Sequence, residues 1–179
     1  KGLGRAVATQ LVSEGATVVI SSSDQANLEE AVDAILEETD ADEDAVRTVV
    51  CDLSKPKTIG DALGPAIEEM GGLDVLVTNH GGTEPLSFEE ATVADFDGAY
   101  ESVLKSTVCT IKTALPHLKA GGGTITNLVA ASTLEPPEGS ILNSSIRAGI
   151  YGLSKSLADE YSGAGIRTNC VSPRAVLTD

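Results

Sequence analysis

Short runs rich in β-branched residues alternate with longer segments of helical periodicity from one end of the chain to the other. This alternation restricts the fold to an α/β class with a parallel sheet, because parallel strands need crossover helices and bury both of their faces. A helical pattern over Gly4 to Glu14 leads to a strand at Ala16 to Ser21. A helix from about Asp24 to Glu38 follows, then a strand at Val46 to Cys51. Next come a helix over Lys57 to Met70 and a strand over Leu73 to Thr78. A long helix spanning about Val93 to Leu118 precedes a strand over Gly123 to Val129. A helix from about Asn143 to Ser162, ended by Gly163 to Gly165, leads to the last strand, Ile166 to Val171. The 179 residues carry 41% hydrophobic side chains, enough for one buried core, and no repeat or linker divides them. The acidic segment from Glu37 to Asp44 reads as a solvated connection.

Charge excludes some partners. Twelve basic against 27 acidic residues give a net charge of −15, a surface that repels nucleic-acid phosphates and anionic lipid. Few basic residues and only 3% aromatic residues suit a protein kept soluble in concentrated salt, so a halophilic character is expected. Cys51, Cys109 and Cys170 are far apart and lie in or beside apolar stretches, without metal-ligand spacing; buried free thiols and no metal site are expected. No apolar run of roughly 18 residues exists and no signal-peptide pattern opens the sequence, so a cytoplasmic location is expected.

The first chemical signal is Lys1-Gly2-Leu3-Gly4 at the start of a helix. Glycines there let the backbone approach a pyrophosphate, and the helix N-terminus offers it free N–H groups. Asp52-Leu53 and Asn79-His80-Gly81 follow at strand ends, where open α/β sheets bind ligands. A dinucleotide-binding half normally begins with a strand feeding its glycine turn, and here nothing precedes the turn. The polypeptide is therefore expected to be longer at both ends, or another segment is expected to fill the strand's place.

Taken together, the glycine turn, Asp52 and Asn79-His80-Gly81 resemble the short-chain dehydrogenase/reductase family. So do Gly152-Leu-Ser-Lys-Ser-Leu157, Gly165-Ile-Arg-Thr-Asn169, Val171-Ser-Pro173 and Thr178, and the resemblance runs the length of the chain. It implies a Rossmann-type doubly wound sheet in three αβα layers, truncated at both ends, that holds NADP or NAD. Lys1 to Gly4 would face the pyrophosphate, and Asp52 and Leu53 would bracket the adenine. Asn79, His80 and Gly81 would line the adenosine ribose, and Pro173 and Thr178 would lie at the nicotinamide. An acid at the end of the second strand would select NAD and a base NADP; Ser21-Ser22-Ser23 stands there instead. Ser22 and Ser23 can donate to a phosphate, and Lys1 falls where NADP-preferring members often carry a base, so NADP is preferred over NAD. The resemblance also implies a homodimer or homotetramer, formed through the long helix and the helix from Asn143.

Active family members carry an Asn, Ser, Tyr, Lys tetrad in which the tyrosine moves the proton. By register the four positions are Val103, Ala130, Asn143 and Arg147, all substituted. Tyr151-Gly-Leu-Ser-Lys155 matches YxxxK, but accepting it shifts the helix by eight residues, about 12 Å. Both are expected to be ordinary helix residues, and His117 a structural one. Ser132, two residues beyond the lost serine on the same strand face, can hydrogen-bond a carbonyl oxygen. Arg147 binds but cannot shuttle a proton. Ser132, Asn143 and Arg147 are thus the expected catalytic residues, with Arg147 also on the cofactor and Arg174 a second cation nearby. The expected function is hydride transfer between NADP(H) and a carbonyl or alcohol, in the manner of 3-oxoacyl reductases. The alternative is a catalytically silent nucleotide-binding sensor or partner subunit.

The charge balance generates a first prediction. Molar KCl screens self-repulsion to within a few Å, so thermal melts should show a markedly higher Tm in 2 M KCl than in dilute buffer; equal Tm values would contradict the halophilic expectation.

Overall fold

The computed structural model describes residues 2–174. Helix α1 (Gly2–Ser13) is followed by β1 (Val18–Ser22), α2 (Gln25–Thr39) and β2 (Val46–Val50). The second half runs through α3 (Ile59–Glu69), β3 (Val75–Thr78), α4 (Val93–Ala99), α5 (Ser106–Gly121), β4 (Gly123–Leu128), α6 (Ile141–Tyr161) and β5 (Ile166–Val171). Every strand pair is parallel, as the alternating pattern requires.

Local sequence explains where the elements begin and end. Asp24 caps α2: its carboxylate accepts from the Ala26 and Asn27 N–H groups, and the helix ends at Asp40 in the left-handed region. Leu28, Ala31 and Ile35, spaced three and four apart, form its buried face. Thr92 and Asp95 make a reciprocal capping box at the start of α4. The single long helix expected over Val93 to Leu118 is interrupted. Residues Tyr100–Lys105 form a π-turn between α4 and α5, where side-chain hydroxyls of Ser106 and Thr107 donate to the Val103 carbonyl and compete with the helical ladder. Ala16 and Leu73 lie outside the strands expected to contain them.

The expected continuous sheet is divided. Strands β1 and β2 pair with each other, whereas β3, β4 and β5 form a separate three-stranded sheet in that order. Among the described residues no strand joins the two. Val75 of β3 is 44% exposed. Helix α1 packs on α2 and β1 through a core of Ala8, Val12, Ile35 and Val46, and its N-terminus also reaches Asn79 beyond β3.

The main core lies around the three-stranded sheet, where Ile111, Ala114 and Leu118 of α5 meet Ile125 of β4, Leu157 of α6 and Ile166 of β5. A smaller cluster of Val103, Val129 and Ile150 supports the C-terminal ends of β4 and β5. A polar cluster also runs through this interior. Asn127, wholly buried on β4, accepts from Thr78 of β3 at 2.6 Å and donates to Ser154 of α6 at 2.8 Å, and Ser154 receives Cys170 of β5. Satisfied at both ends of its amide, Asn127 fixes the register of β3, β4, β5 and α6 at the level where the strands end.

Close backbone packing starts β4. A Cβ built on Gly123 would lie 2.5 Å from the Asp74 carbonyl oxygen and 2.6 Å from a Leu118 methyl. Gly123→Ala should therefore lower the unfolding free energy by about 1–3 kcal/mol in urea titrations; an unchanged midpoint would show that this contact relaxes freely.

Candidate functional site

The C-terminal ends of β3, β4 and β5 open onto one region, and a single side chain ties them together there. Arg147, on α6 and only 5% exposed, donates through Nε to Asn143 Oδ1 at 2.6 Å. Its Nη1 donates to the Leu128 carbonyl at 3.2 Å, and Nη2 donates to the carbonyls of His80 at 3.2 Å and Gly81 at 2.9 Å. Four of its five N–H donors are thereby used within the protein. Among the described residues no carboxylate pairs with it; burial lowers its pKa, yet a guanidinium stays charged well above neutrality.

This arrangement decides the orientation of Asn143. Arginine has no acceptor, so the amide oxygen must face Arg147 and the amide nitrogen must face away from it. That nitrogen donates to Ser132 Oγ at 2.9 Å. Ser132, in the short helical turn Ala131–Thr133 after β4, accepts this bond and keeps its own proton for another partner. Its backbone is fixed as well: Ser144 Oγ donates to the Ser132 carbonyl at 2.8 Å, and Ser140 Oγ lies 2.9 Å from Ser144 Oγ.

Ser132 lines an open cleft of about 610 Å³. Ala130, Ala131, Pro137 and Pro173 give it apolar walls. Glu135 and Arg174, on opposite walls, form an exposed ion pair. At the base, the Ala131 N–H donates to the Pro173 carbonyl at 3.0 Å, holding the segments after β4 and β5 together.

His80 is buried behind the same loop. Its Nε2 lies 3.1 Å from Thr107 Oγ1. The threonine proton is taken by the shorter 2.6 Å bond to the Val103 carbonyl, so the imidazole donates through Nε2 and Nδ1 carries a buried lone pair without a partner. Desolvation, then the nearby Arg147 charge, lowers the His80 pKa to about 4. It is neutral at pH 7.

The expected cofactor residues fall into two groups. Gly4 brings the start of α1 against Asn79, where an added Cβ would sit 3.4 Å from Nδ2, and Gly81 and Gly82 open onto free space. A nucleotide diphosphate fits this cradle: unpaired N–H groups at the α1 terminus, small Gly2 and Gly4, and the Asn79 amide beside them. Leu3 lies half-buried within it. Ser22, Ser23, Asp52 and Leu53 stand farther along, at the ends of β1 and β2, linked by the Cys51 N–H donating to the Ser22 carbonyl. Asp52 is bound into its own turn by Ser54 and Lys55, which hold its carboxyl down at about 2. Lys1 and Thr178 lie outside the described residues.

Other readings are corrected by the packing. Arg147, expected to reach ribose hydroxyls, points into the protein instead, because backbone carbonyls and Asn143 surround it. Tyr151 and Lys155, expected to be ordinary helix residues, make other contacts: Tyr151 bonds Ser172, and Lys155 is exposed and paired with Asp159. Val103 sits in the π-turn, buried among apolar side chains. Sequence reading missed Thr107, Asn127 and Ser154, although a polar residue inside an otherwise apolar strand such as Ile125 to Val129 is the available sign of a buried hydrogen-bonding role.

Comparisons with known proteins agree on one family. The profile described as short chain dehydrogenase matches residues 1–179. A tropinone reductase-like 3 protein of Erythroxylum coca is 32% identical over 183 residues, covering 100% of this chain and 67% of the relative. A short-chain dehydrogenase from Streptomyces avermitilis is 27% identical with a TM-score of 0.87, covering 99% of this chain and 63% of that one. An L-sorbose reductase from Gluconobacter frateurii, complexed with NADPH and L-sorbose, is 26% identical with a TM-score of 0.88, covering 98% of this chain and 66% of that one. This chain thus spans about two thirds of the length of these proteins. No helix among the described residues is long and apolar enough to cross a membrane.

The buried imidazole yields a pH prediction. Its folded pKa of about 4 lies below the ordinary 6.5, so between these values the unfolded chain binds a proton that the folded chain does not. Its contribution favours folding at neutral pH and is lost as pH falls through that window, at about 1.4 kcal/mol per pKa unit. Compared with wild type, His80→Ala should lose less stability between pH 7 and pH 4.5 in urea titrations; parallel curves would place the proton elsewhere.

Proposed function

Because the chain belongs to the short chain dehydrogenase family, we propose that it is the nucleotide-binding part of an NAD(P)-dependent oxidoreductase that interconverts a carbonyl and an alcohol, in the manner of 3-oxoacyl reductases. The observation that carries this reading is the chain Arg147–Asn143–Ser132, which leaves a hydroxyl proton free in an open cleft beside the cofactor cradle.

Gly2, Leu3 and Gly4, with Lys1, would hold the pyrophosphate, and Asn79, His80 and Gly81 the adenosine ribose. Asp52 and Leu53 would bracket the adenine, with Pro173 and Thr178 near the nicotinamide. Hydroxyls of Ser22 and Ser23 are donors suited to a 2′-phosphate, and the sorbose reductase complex with NADPH supports NADP as the preferred form. The Asp24 carboxylate at the same turn is the opposing feature, since it would repel that phosphate. When bound, the nicotinamide supplies or accepts the hydride.

Every other element of the chemistry lies in this chain's side chains. Ser132 touches the substrate: it donates to the carbonyl oxygen, which grows negative as the carbon is reduced. Asn143 donates to Ser132 and blocks it from turning inward. Arg147 is a positioning residue that polarises the Asn143 amide and sets a positive field behind the developing oxyanion. No titratable acid backs Ser132 in the chain Arg147–Asn143–Ser132, so Ser132 stabilises the oxyanion by hydrogen bonding and keeps its own proton, while the proton that completes the alcohol is drawn from bulk solvent. The reverse reaction follows the same path. A homodimer or homotetramer packed through α4, α5 and α6 belongs to the same proposal.

The silent-homologue reading rests on the four substituted tetrad positions, and one set of variants separates the two. Ser132→Ala should reduce kcat for carbonyl-dependent NADPH oxidation by about 10²-fold. Asn143→Asp should do the same while keeping or raising stability, because a carboxylate pairs with Arg147 but accepts the Ser132 proton. NADPH affinity by calorimetry should stay within about twofold in both. Micromolar NADPH binding without turnover on any carbonyl would favour the silent reading; unchanged kcat in both variants would remove Ser132 from the mechanism.

A further inference from the structure

We infer that Arg174 determines specificity in the cleft, selecting carbonyl or hydroxyl substrates that carry a carboxylate. This rests on the proposed placement of the reacting carbonyl at Ser132. Among the described residues Ser132, Glu135 and Arg174 are the polar lining of the cleft, and Arg174 is its one cation; the remaining wall is alanine and proline. With no other charged group to recognise a substrate, the pair at the mouth sets which charges the cleft accepts.

The geometry favours an anion over a cation. Arg174 meets Glu135 through Nη2 alone, and among the described residues its other donors have no partner. A guanidinium is a planar fork whose remaining edge can take a carboxylate in bidentate fashion without releasing Glu135. A substrate ammonium would instead have to displace the guanidinium from Glu135. Both side chains are about three-quarters exposed, at 76% and 70%, so their ion pair is weak and easily shared. The net charge of −15 opposes anions at long range but is screened beyond about 10 Å at moderate salt, which leaves the local cation in control.

Glu135 has a second effect. It neutralises Arg174 while the cleft is empty and so weakens capture of small anions, whereas an oxo acid gains both the Ser132 hydrogen bond and the Arg174 fork. Two anchors at opposite ends also fix which face of the carbonyl meets the cofactor.

The test is calorimetric binding of 3-oxobutanoate and 4-oxopentanoate, each against its methyl ester, to the protein with and without NADPH. Wild type should bind the acids about tenfold more tightly than the esters. Arg174→Gln should abolish the difference, and Glu135→Gln should widen it. Equal binding of acid and ester in wild type, or a preference that persists in Arg174→Gln, would overturn the inference. Turnover of the methyl esters without acid preference would overturn it while leaving the oxidoreductase reading intact. Acid-selective binding lost in Arg174→Gln, with no turnover of any carbonyl, would support it and overturn the oxidoreductase reading.

Discussion

A guanidinium buried without a carboxylate is costly unless nearly every N–H finds an acceptor, and the region around Arg147 is arranged to meet that demand. Three backbone carbonyls, from Leu128 at the end of β4 and from His80 and Gly81 after β3, converge on it together with the Asn143 side chain. The requirement acts in both directions. The arginine needs those carbonyls, and the loops that present them take their shape from the arginine. The loop Asn79–Gly81, which faces the α1 terminus, is therefore held from behind by a charge on α6 rather than by its own turn chemistry.

Electrostatics follow from the same group. The Arg147 charge is the second cause of the low His80 pKa after burial, and it fixes which end of the Asn143 amide faces Ser132. By the register read from the sequence, Asn143 and Arg147 would stand where family members with the usual tetrad carry a tyrosine and a lysine. The two sit one helical turn apart on α6, an amide that orients and a cation that stays charged. On the proposed function, chemistry here would depend on hydrogen bonding to the substrate oxygen rather than on proton transfer from a phenol.

Much of this was legible in the sequence. Alternating β-branched and helical patterns specify the parallel sheets, because strand and helix periods differ and each strand's apolar run is bounded by turn residues. Other features depend on distance in space. Nothing local to Thr107 announces a bond to His80, 27 residues away, and the π-turn arises from hydroxyls competing for the Val103 carbonyl, which helical periodicity does not record. The inward orientation of Arg147 was not foreseeable, since a basic residue near a cofactor loop suggests a ligand contact until its acceptors are known. Glu135 and Arg174 lie 39 residues apart and meet only because β4 and β5 are neighbours.

The central claim is that Arg147 is an internal hub whose donors are spent on the protein. It is tested most directly by the NMR resonance of its Nε–H group, followed for exchange with water and for shift on addition of NADPH. The account predicts a slowly exchanging proton whose shift moves little when the nucleotide binds. Rapid exchange in the free protein, or a large shift matched by loss of NADPH affinity in Arg147→Met without loss of stability, would show that the guanidinium faces the ligand and would contradict the account.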